Sequence, residues 1–486
     1  MLTRATTATR VLALLFLLSV APLAAAADSW TRDDAAHLLR RAAFGGTPEQ
    51  VDRLHALGKS AAVEYLLGAA PSAITRPAGA PAIFPPADLP DFKSEAMPPE
   101  ILQIQRWRRL ETLRLRSWWI DRMARTDRPL EEKMTLFWHG LFTSGIQEVK
   151  LPQFISRQNA LFHAHALGNY RTLAEAVVRD PAMLRYLNAD SNVKGKPNEN
   201  LARELMELFT MGEGNGYTER DIAEVARALT GATTSLMGYV YRPVKHDQAA
   251  KVIFGKAGNY RPDDIVPLIF QRPEPPRYLA RRLWEFFAFP NPTDADIAPV
   301  AAALAANNFE LRPALRALFT SPAFYADKAR FAVIKSPVGL VVSTLRTMEQ
   351  PSSPDRMRGL LQELDKMGQS LLQPPNVKGW PGGEHWITSA TLFTRYNACS
   401  TIVQGGMGFT PVSPARLFPT LPRPTADQLV DAAIARYLQR PLHPDKRKAL
   451  IETLGTNPLT LGKEESDRRA RQMLALLLST PEYQVE

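Results

Sequence analysis

A mainly α-helical fold, built as one large multi-helix domain, is what this sequence predicts. Three observations carry that reading. Apolar residues recur at three- and four-residue spacing along most of the chain, between capping residues and stops. Proline and glycine punctuate these segments rather than interrupt them. Strand signal is thin: only Tyr239-Val240-Tyr241 and Lys251-Val252-Ile253-Phe254 carry it, and they predict one small β-hairpin near 239–254. With 486 residues, 45% hydrophobic and 22% charged, the chain has ample material for a core. It must rely on that core, because the one cysteine, Cys399, cannot form an intrachain disulfide.

The first 27 residues read as a secretory signal peptide. Arg4 and Arg10 form its basic region, Val11 to Ala21 an apolar run too short to span a bilayer comfortably, and Ala24 to Ala27 its cleavage site. Residues 28–486 are then the exported domain, with no later transmembrane segment, and the address is the periplasm or the cell exterior. Residues 30–68 read as two helices, capped by Thr31 and by Thr47 with Pro48. Eight prolines make 69–99 a loop or arm. Helical pattern then covers about 100–125, 129–142, 152–168 and 171–179.

The stretch 198–231 is the centre of the chain. Asn198 caps one helix, Gly212, Gly214 and Gly216 make a turn, and Thr218 with Asp221 forms a capping box for the next helix. Helices return over 262–289, 294–320, 323–348 and 354–372. PPNVKGWPGG, 374–383, is a rigid loop, and a proline- and glycine-rich break at 405–424 precedes C-terminal helices within 425–486.

The net charge of +10 is modest, and no nucleic-acid-binding motif accompanies it, so no nucleic-acid partner is expected. The chain lacks Gly-x-Ser-x-Gly, a P-loop, a dinucleotide fingerprint, His-Glu-x-x-His and Cys-x-x-Cys-His, so neither nucleotide nor covalently held haem is expected. Two ionisable groups remain. Glu204 and Glu207, three residues apart on a helix, repel unless a cation answers them; Arg203 is the nearest, and a divalent metal is an alternative. His246 beside Asp247, with Lys251 following, is the sharpest small cluster, since a histidine next to a carboxylate suits a general base or a metal ligand. Two aromatic groups suit binding instead. The helix of 100–125 interleaves arginines with Trp107, Trp118 and Trp119, while Lys378, Trp380, His385 and Trp386 surround the loop of 374–386.

Several long blocks carry a family resemblance. They are HLLRRAAFGGTPEQV (37–51), MTLFWHGLF (134–142), NENLARELMELFTMG with GYTERDIAEVARALTG (198–231), HDQAAKVIFG (246–255), RYLARRLWEFF (277–287), SPAFYADKARFAVIKSPVGLVV (321–342) and PPNVKGWPGGEHWITSATLFTRYN (374–397). In this order they resemble the bacterial domain-of-unknown-function 1800 family over nearly the whole mature chain. The resemblance implies no settled activity. It does imply a companion, because such proteins are often encoded beside a second exported family, domain of unknown function 1501.

Two functions compete. The favoured one is a non-enzymatic binding or assembly component that works with another exported protein or an envelope polymer, using the tryptophan helix and the 374–386 loop. The alternative is a hydrolase-like enzyme whose site combines Glu204, Glu207, His246, Asp247 and Arg203, with or without a divalent metal. The leader has a direct test: mass spectrometry of exported protein should find a mature N-terminus near Ala27 or Asp28, and an intact Met1 would overturn the assignment.

Overall fold

The structure, a computed structural model, describes residues 30–68, 79–83, 98–455 and 458–486. The expected leader and most of the proline-rich arm lie outside those residues. Helices dominate, and strands among the described residues are limited to two two-stranded antiparallel sheets.

The first helix, α1 (Arg32–Ala43), opens on a Thr31/Asp34 capping box, and α2 (Pro48–Leu57) on Thr47/Gln50. Gly58, at φ +78°, then turns the chain into a third helix, α3 (Lys59–Leu67), where two helices were expected for the whole region. The long α4 (Pro98–Arg125) leads to α5 (Pro129–Leu141), the short α6 (Ile146–Val149) and α7 (Pro152–Ala164). Pro129 and Pro152 sit in first turns, where the missing N–H costs nothing. Asn169 and Asp180 cap α8 (Tyr170–Val178) and α9 (Pro181–Tyr186).

The central helix starts as α10 (Asn200–Glu204) and continues into a π-turn over Leu205–Thr210, where Met211 N–H donates to Met206 O at 2.9 Å. The predicted Thr218/Asp221 box opens α11 (Glu219–Ala228). The single expected hairpin is two: β1 (Ala232–Ser235) pairs with β2 (Gly238–Tyr241), and β3 (Lys251–Ile253) with β4 (Lys256–Gly258). His246 and Asp247 therefore lie between hairpins, not at the bend of one.

Beyond the strands, α12 (Pro262–Ile269) and α13 (Glu274–Phe287) precede α14 (Asp294–Ala306), which packs between α13 and α15 (Leu311–Thr320). Then come α16 (Pro337–Thr347), α17 (Met357–Lys366) and α18 (Ser389–Gln404), followed by α19 (Pro414–Leu417), α20 (Ala426–Ala433), α21 (Pro444–Leu454) and α22 (Glu464–Leu478).

Three apolar clusters form the interior. The largest joins α1–α3, α5 and α8 to α13–α15; the second gathers around α4, α16 and α17; the third unites α18 with α20–α22. Helix α16 links the last two. Its Val338, Val341 and Val342 enter the second cluster and its Leu340 the third, so it is buried on all sides, as a helix without a polar face must be. No helix among the described residues is long and apolar enough to cross a membrane.

Cys399 sits in the third cluster at 1% exposure, 3.7 Å from Thr344 Oγ1, and burial pushes its thiol pKa up. It should react slowly with thiol reagents in the native protein and titrate as one free thiol after unfolding. Fast native alkylation would contradict this packing.

Candidate functional site

The acidic and histidine candidates fall into two separate ion-pair groups. Arg203 occupies the centre of the first. It reaches Glu207 and Glu199 on its own helix at 3.2 Å each, and Glu219 at the start of α11 at 2.7 Å. Glu204 makes no hydrogen bond or ion pair among the described residues; burial, and then the neighbouring Glu207, raise its pKa. In the second group Asp247 accepts from Arg227 Nε at 2.8 Å, and that bond holds its carboxyl below the usual range. Arg227 also pairs with Glu224, whose other role is to accept the Val252 N–H of β3.

His246 is buried, with Nδ1 2.9 Å from Thr230 O, and burial lowers its pKa. Lys251 is fully buried and donates to backbone carbonyls of Asp247 and Ala249, at 2.5 and 3.0 Å, rather than to a carboxylate. The His-Asp-Lys segment thus ties the connection between the hairpins onto α11. Glu219 and Arg227 stand eight residues apart on α11, about 12 Å along its axis at 1.5 Å per residue. The two groups therefore sit at opposite ends of one helix and do not form the combined site expected from sequence. Among the described residues, no group of three or more His, Cys, Asp or Glu is arranged to hold a metal ion.

The tryptophans of α4 are also placed differently from the expected binding surface. Trp119 is fully buried and donates to Glu132 Oε2 at 3.1 Å; Trp118 is buried beside the His163 ring; Trp107 packs against the second cluster. The reason is periodicity. Leu115, Trp118, Trp119, Arg122 and Met123 share one face of α4, and that face meets α5 and α7.

The loop of 374–386 does border open space. Gly379, at φ +81°, lies so close to α5 that a side chain there would run into Gly140 O. This approach sets Trp380 edge-on to His139, with ring centroids 5.4 Å apart. Burial pulls the His139 pKa down to about 4, so that ring is neutral. Lys378 and His385 point outward, Lys378 3.6 Å from Glu213, while Trp380 and the buried Trp386 line a cavity of about 530 Å³.

One face of α5 forms a second wall of the cavity, with Lys133, Phe137, Gly140 and Leu141 at helical spacing. Arg282, Glu285 and Phe286 of α13 form a third, and segment 332–339 with Gln369 and Glu486 closes the rest. The volume lies within the roughly 300–1,000 Å³ of ordinary ligand pockets. Among the charged members of the lining, Arg282 and Glu285 pair at 3.1 Å and are partly exposed, Glu384 is exposed, and Lys133 and Glu486 are buried. Sequence reasoning found Trp380 and Trp386 but not Lys133, Phe286 or Glu486. The blocks 134–142 and 277–287 pointed to the right helices without showing that their faces converge.

A family model described as "Protein of unknown function (DUF1800)" matches residues 37–485. The chain belongs to this family. Searches of curated proteins and of solved structures found no match. For this DUF1800 protein the blocks thus divide in two: 198–255 builds ion-paired scaffolding, and 37–51, 134–142, 277–287, 321–342 and 374–397 contribute residues to the cavity.

Replacing Glu204 and Glu207 together by Gln tests the ion-pair assignment. The lost Arg203–Glu207 pair is partly exposed, worth about 1 kcal/mol or less, and removing the Glu204–Glu207 repulsion offsets part of that. Thermal melts should shift by a few degrees at most and be indifferent to chelator. A chelator-dependent shift in the parent protein, absent from the double variant, would place a metal on these carboxylates instead.

Proposed function

We propose that this protein acts by binding rather than by catalysis, as an exported helical component that holds an apolar ligand between α5, α13 and the 374–386 loop. One observation carries the reading: of the chemistry-bearing groups singled out in the sequence, the loop tryptophans Trp380 and Trp386 border a cavity of ligand size. Glu207 and Asp247, by contrast, are occupied by arginines at the two ends of α11. The lining offers apolar contact through Phe44, Leu136, Phe137, Leu141, Phe286 and the two tryptophans. In such a role the exported companion implied by the family resemblance is the natural recipient or donor of the ligand.

Gly140 offers a test that adds bulk without cutting a contact. A Cβ there would meet only Trp380 Cε3, at 4.0 Å, so Gly140→Leu fills the cavity from the α5 side. It also replaces a poor helix former by a good one. The parent protein should bind the neutral dye Nile red saturably, with a fluorescence gain. Gly140→Leu should lose that binding at least tenfold while keeping the parent's melting temperature within a few degrees. Absence of saturable binding by the parent would sink the proposal.

A further inference from the structure

Away from the cavity, two short stretches, 193–196 and 242–245, meet at the base of the β1–β2 hairpin. Lys194 N–H donates to Lys245 O at 2.8 Å, and Lys245 N–H to Arg242 O at 2.9 Å. Gly231 joins both: its N–H donates to Asn192 O at 3.0 Å, and its O accepts from Arg242 N–H at 2.9 Å. Asn192, 1% exposed, holds the junction in place. Its Nδ2 donates to Ala226 O of α11, and its Oδ1 accepts the Asn198 N–H, each at 2.9 Å. A buried amide satisfied in this way pins the two stretches to α11 as one fixed surface.

That surface is cationic. Lys194, Lys196, Arg242 and Lys245 are all exposed. None of the four forms an ion pair among the described residues. The local sequence gives the reason: 191–198 reads SNVKGKPN and 238–246 reads GYVYRPVKH, and neither holds an Asp or Glu. Of the flanking acids, Glu199 is taken by Arg203 at 3.2 Å and Asp247 by Arg227 at 2.8 Å. Asp190 forms no ion pair among the described residues, which leaves one acid against four cations. Val244 stands among these cations, 88% exposed, with the exposed Pro243 before it. A lone exposed valine is ordinary. This one is bracketed by Arg242 and Lys245, with Lys194 tied across from it, so an apolar tip wears a cationic collar.

We propose that the protein docks on membranes rich in anionic phospholipid through the base of the β1–β2 hairpin. Lys194, Lys196, Arg242 and Lys245 meet the headgroup phosphates, and Val244 enters the boundary beneath them. A soluble polyanion would use the cations alone and leave Val244 in water. Each cation near an anionic surface adds roughly fivefold to binding, so the attachment is reversible and sensitive to salt. None of this depends on the cavity, and the two readings stand or fall separately.

Sedimentation of the purified protein with vesicles tests the proposal, using phosphatidylcholine alone and an equimolar mixture with phosphatidylglycerol. The mixed vesicles should bind about tenfold more tightly or better at about 0.1 M salt, and lose that advantage at about 1 M, where the Debye length has shrunk from about 10 to about 3 Å. Equal binding to both vesicles, or binding to neither, would overturn the proposal. Replacing Lys194, Lys196, Arg242 and Lys245 together by Gln removes only exposed charge. Melting temperature should stay within a few degrees, and binding to mixed vesicles should fall to the level of phosphatidylcholine alone; undiminished binding would overturn the assignment to this surface. The four single Gln variants, each costing roughly fivefold, keep the site testable should the combined variant not fold. Val244→Ser should weaken binding to mixed vesicles about threefold and leave binding to dextran sulfate unchanged. No effect on vesicles, or an equal effect on both, would overturn the membrane assignment in favour of a soluble polyanion.

Discussion

The buried guanidinium of Arg41 is the constraint on which much of this structure depends. It has no exposed surface, and each of its contacts ties α1 to a distant part of the chain. Nε donates to Phe287 O at 2.8 Å and Nη2 to Phe286 O at 2.9 Å, satisfying carbonyls at the end of α13 that the helix itself leaves open. Nη1 meets Glu486. The Glu486 segment is in turn held by Val333, through N–H···O contacts of 3.3 and 2.8 Å in the two directions. One side chain thus joins segments some 250 and 445 positions apart. A buried arginine is costly unless such partners are fixed in place, and breaking one of them costs roughly 3–5 kcal/mol. The helices on either side of the cavity are accordingly held at a set distance.

Local chemistry was legible in the sequence wherever it acts over a few residues. The Thr31/Asp34, Thr47/Gln50 and Thr218/Asp221 boxes, and the prolines at 129 and 152, begin helices as their residue types require. Hairpin pairing was harder to read. β1 is Ala-Thr-Thr-Ser, four residues with strand-compatible threonines but no large apolar side chain, so no hydrophobic pattern marks it as the partner of β2. The β3–β4 turn uses Phe254 at φ +49° and Gly255 at φ +77°, the pair of positive values a tight hairpin turn needs, but only the glycine advertises it.

The cavity was half legible. Its tryptophans lie in a loop whose prolines and glycines suggested a platform. The buried charges at and behind its wall could not be read, because Lys133 and Arg41 look like ordinary solvated residues on amphipathic helices. Their burial follows from the convergence of α1, α5, α13 and the 333–335 segment, and sequence spacing does not encode that convergence. The same blindness worked in reverse for Trp118 and Trp119, which look like a surface when surrounded by arginines and prove to be core.

The neighbouring residues Glu132 and Lys133 give α5 two electrostatic flanks that differ in a telling way. Glu132 is fully buried, and both of its oxygens are used: Oε1 accepts from Arg122, and Oε2 from Trp119 Nε1 at 3.1 Å with His163 Nε2 at 2.9 Å. His163 Nδ1 stands 2.9 Å from Asn159 O, so the ring is held from both sides. Burial works to raise the Glu132 pKa, but His163 and Arg122 more than compensate and leave it lowered. That triad is complete: an acid between two bases, with both of its oxygens occupied. At Lys133, about 100° around the helix, the acid is again placed between two bases, but both cations meet the same oxygen of Glu486, and the group adjoins open space. Two clusters of similar make-up on one helix thus differ in closure. The closed one fixes how α4 and α7 pack; the open one joins α1 and α5 to the C-terminal segment at the wall of the cavity.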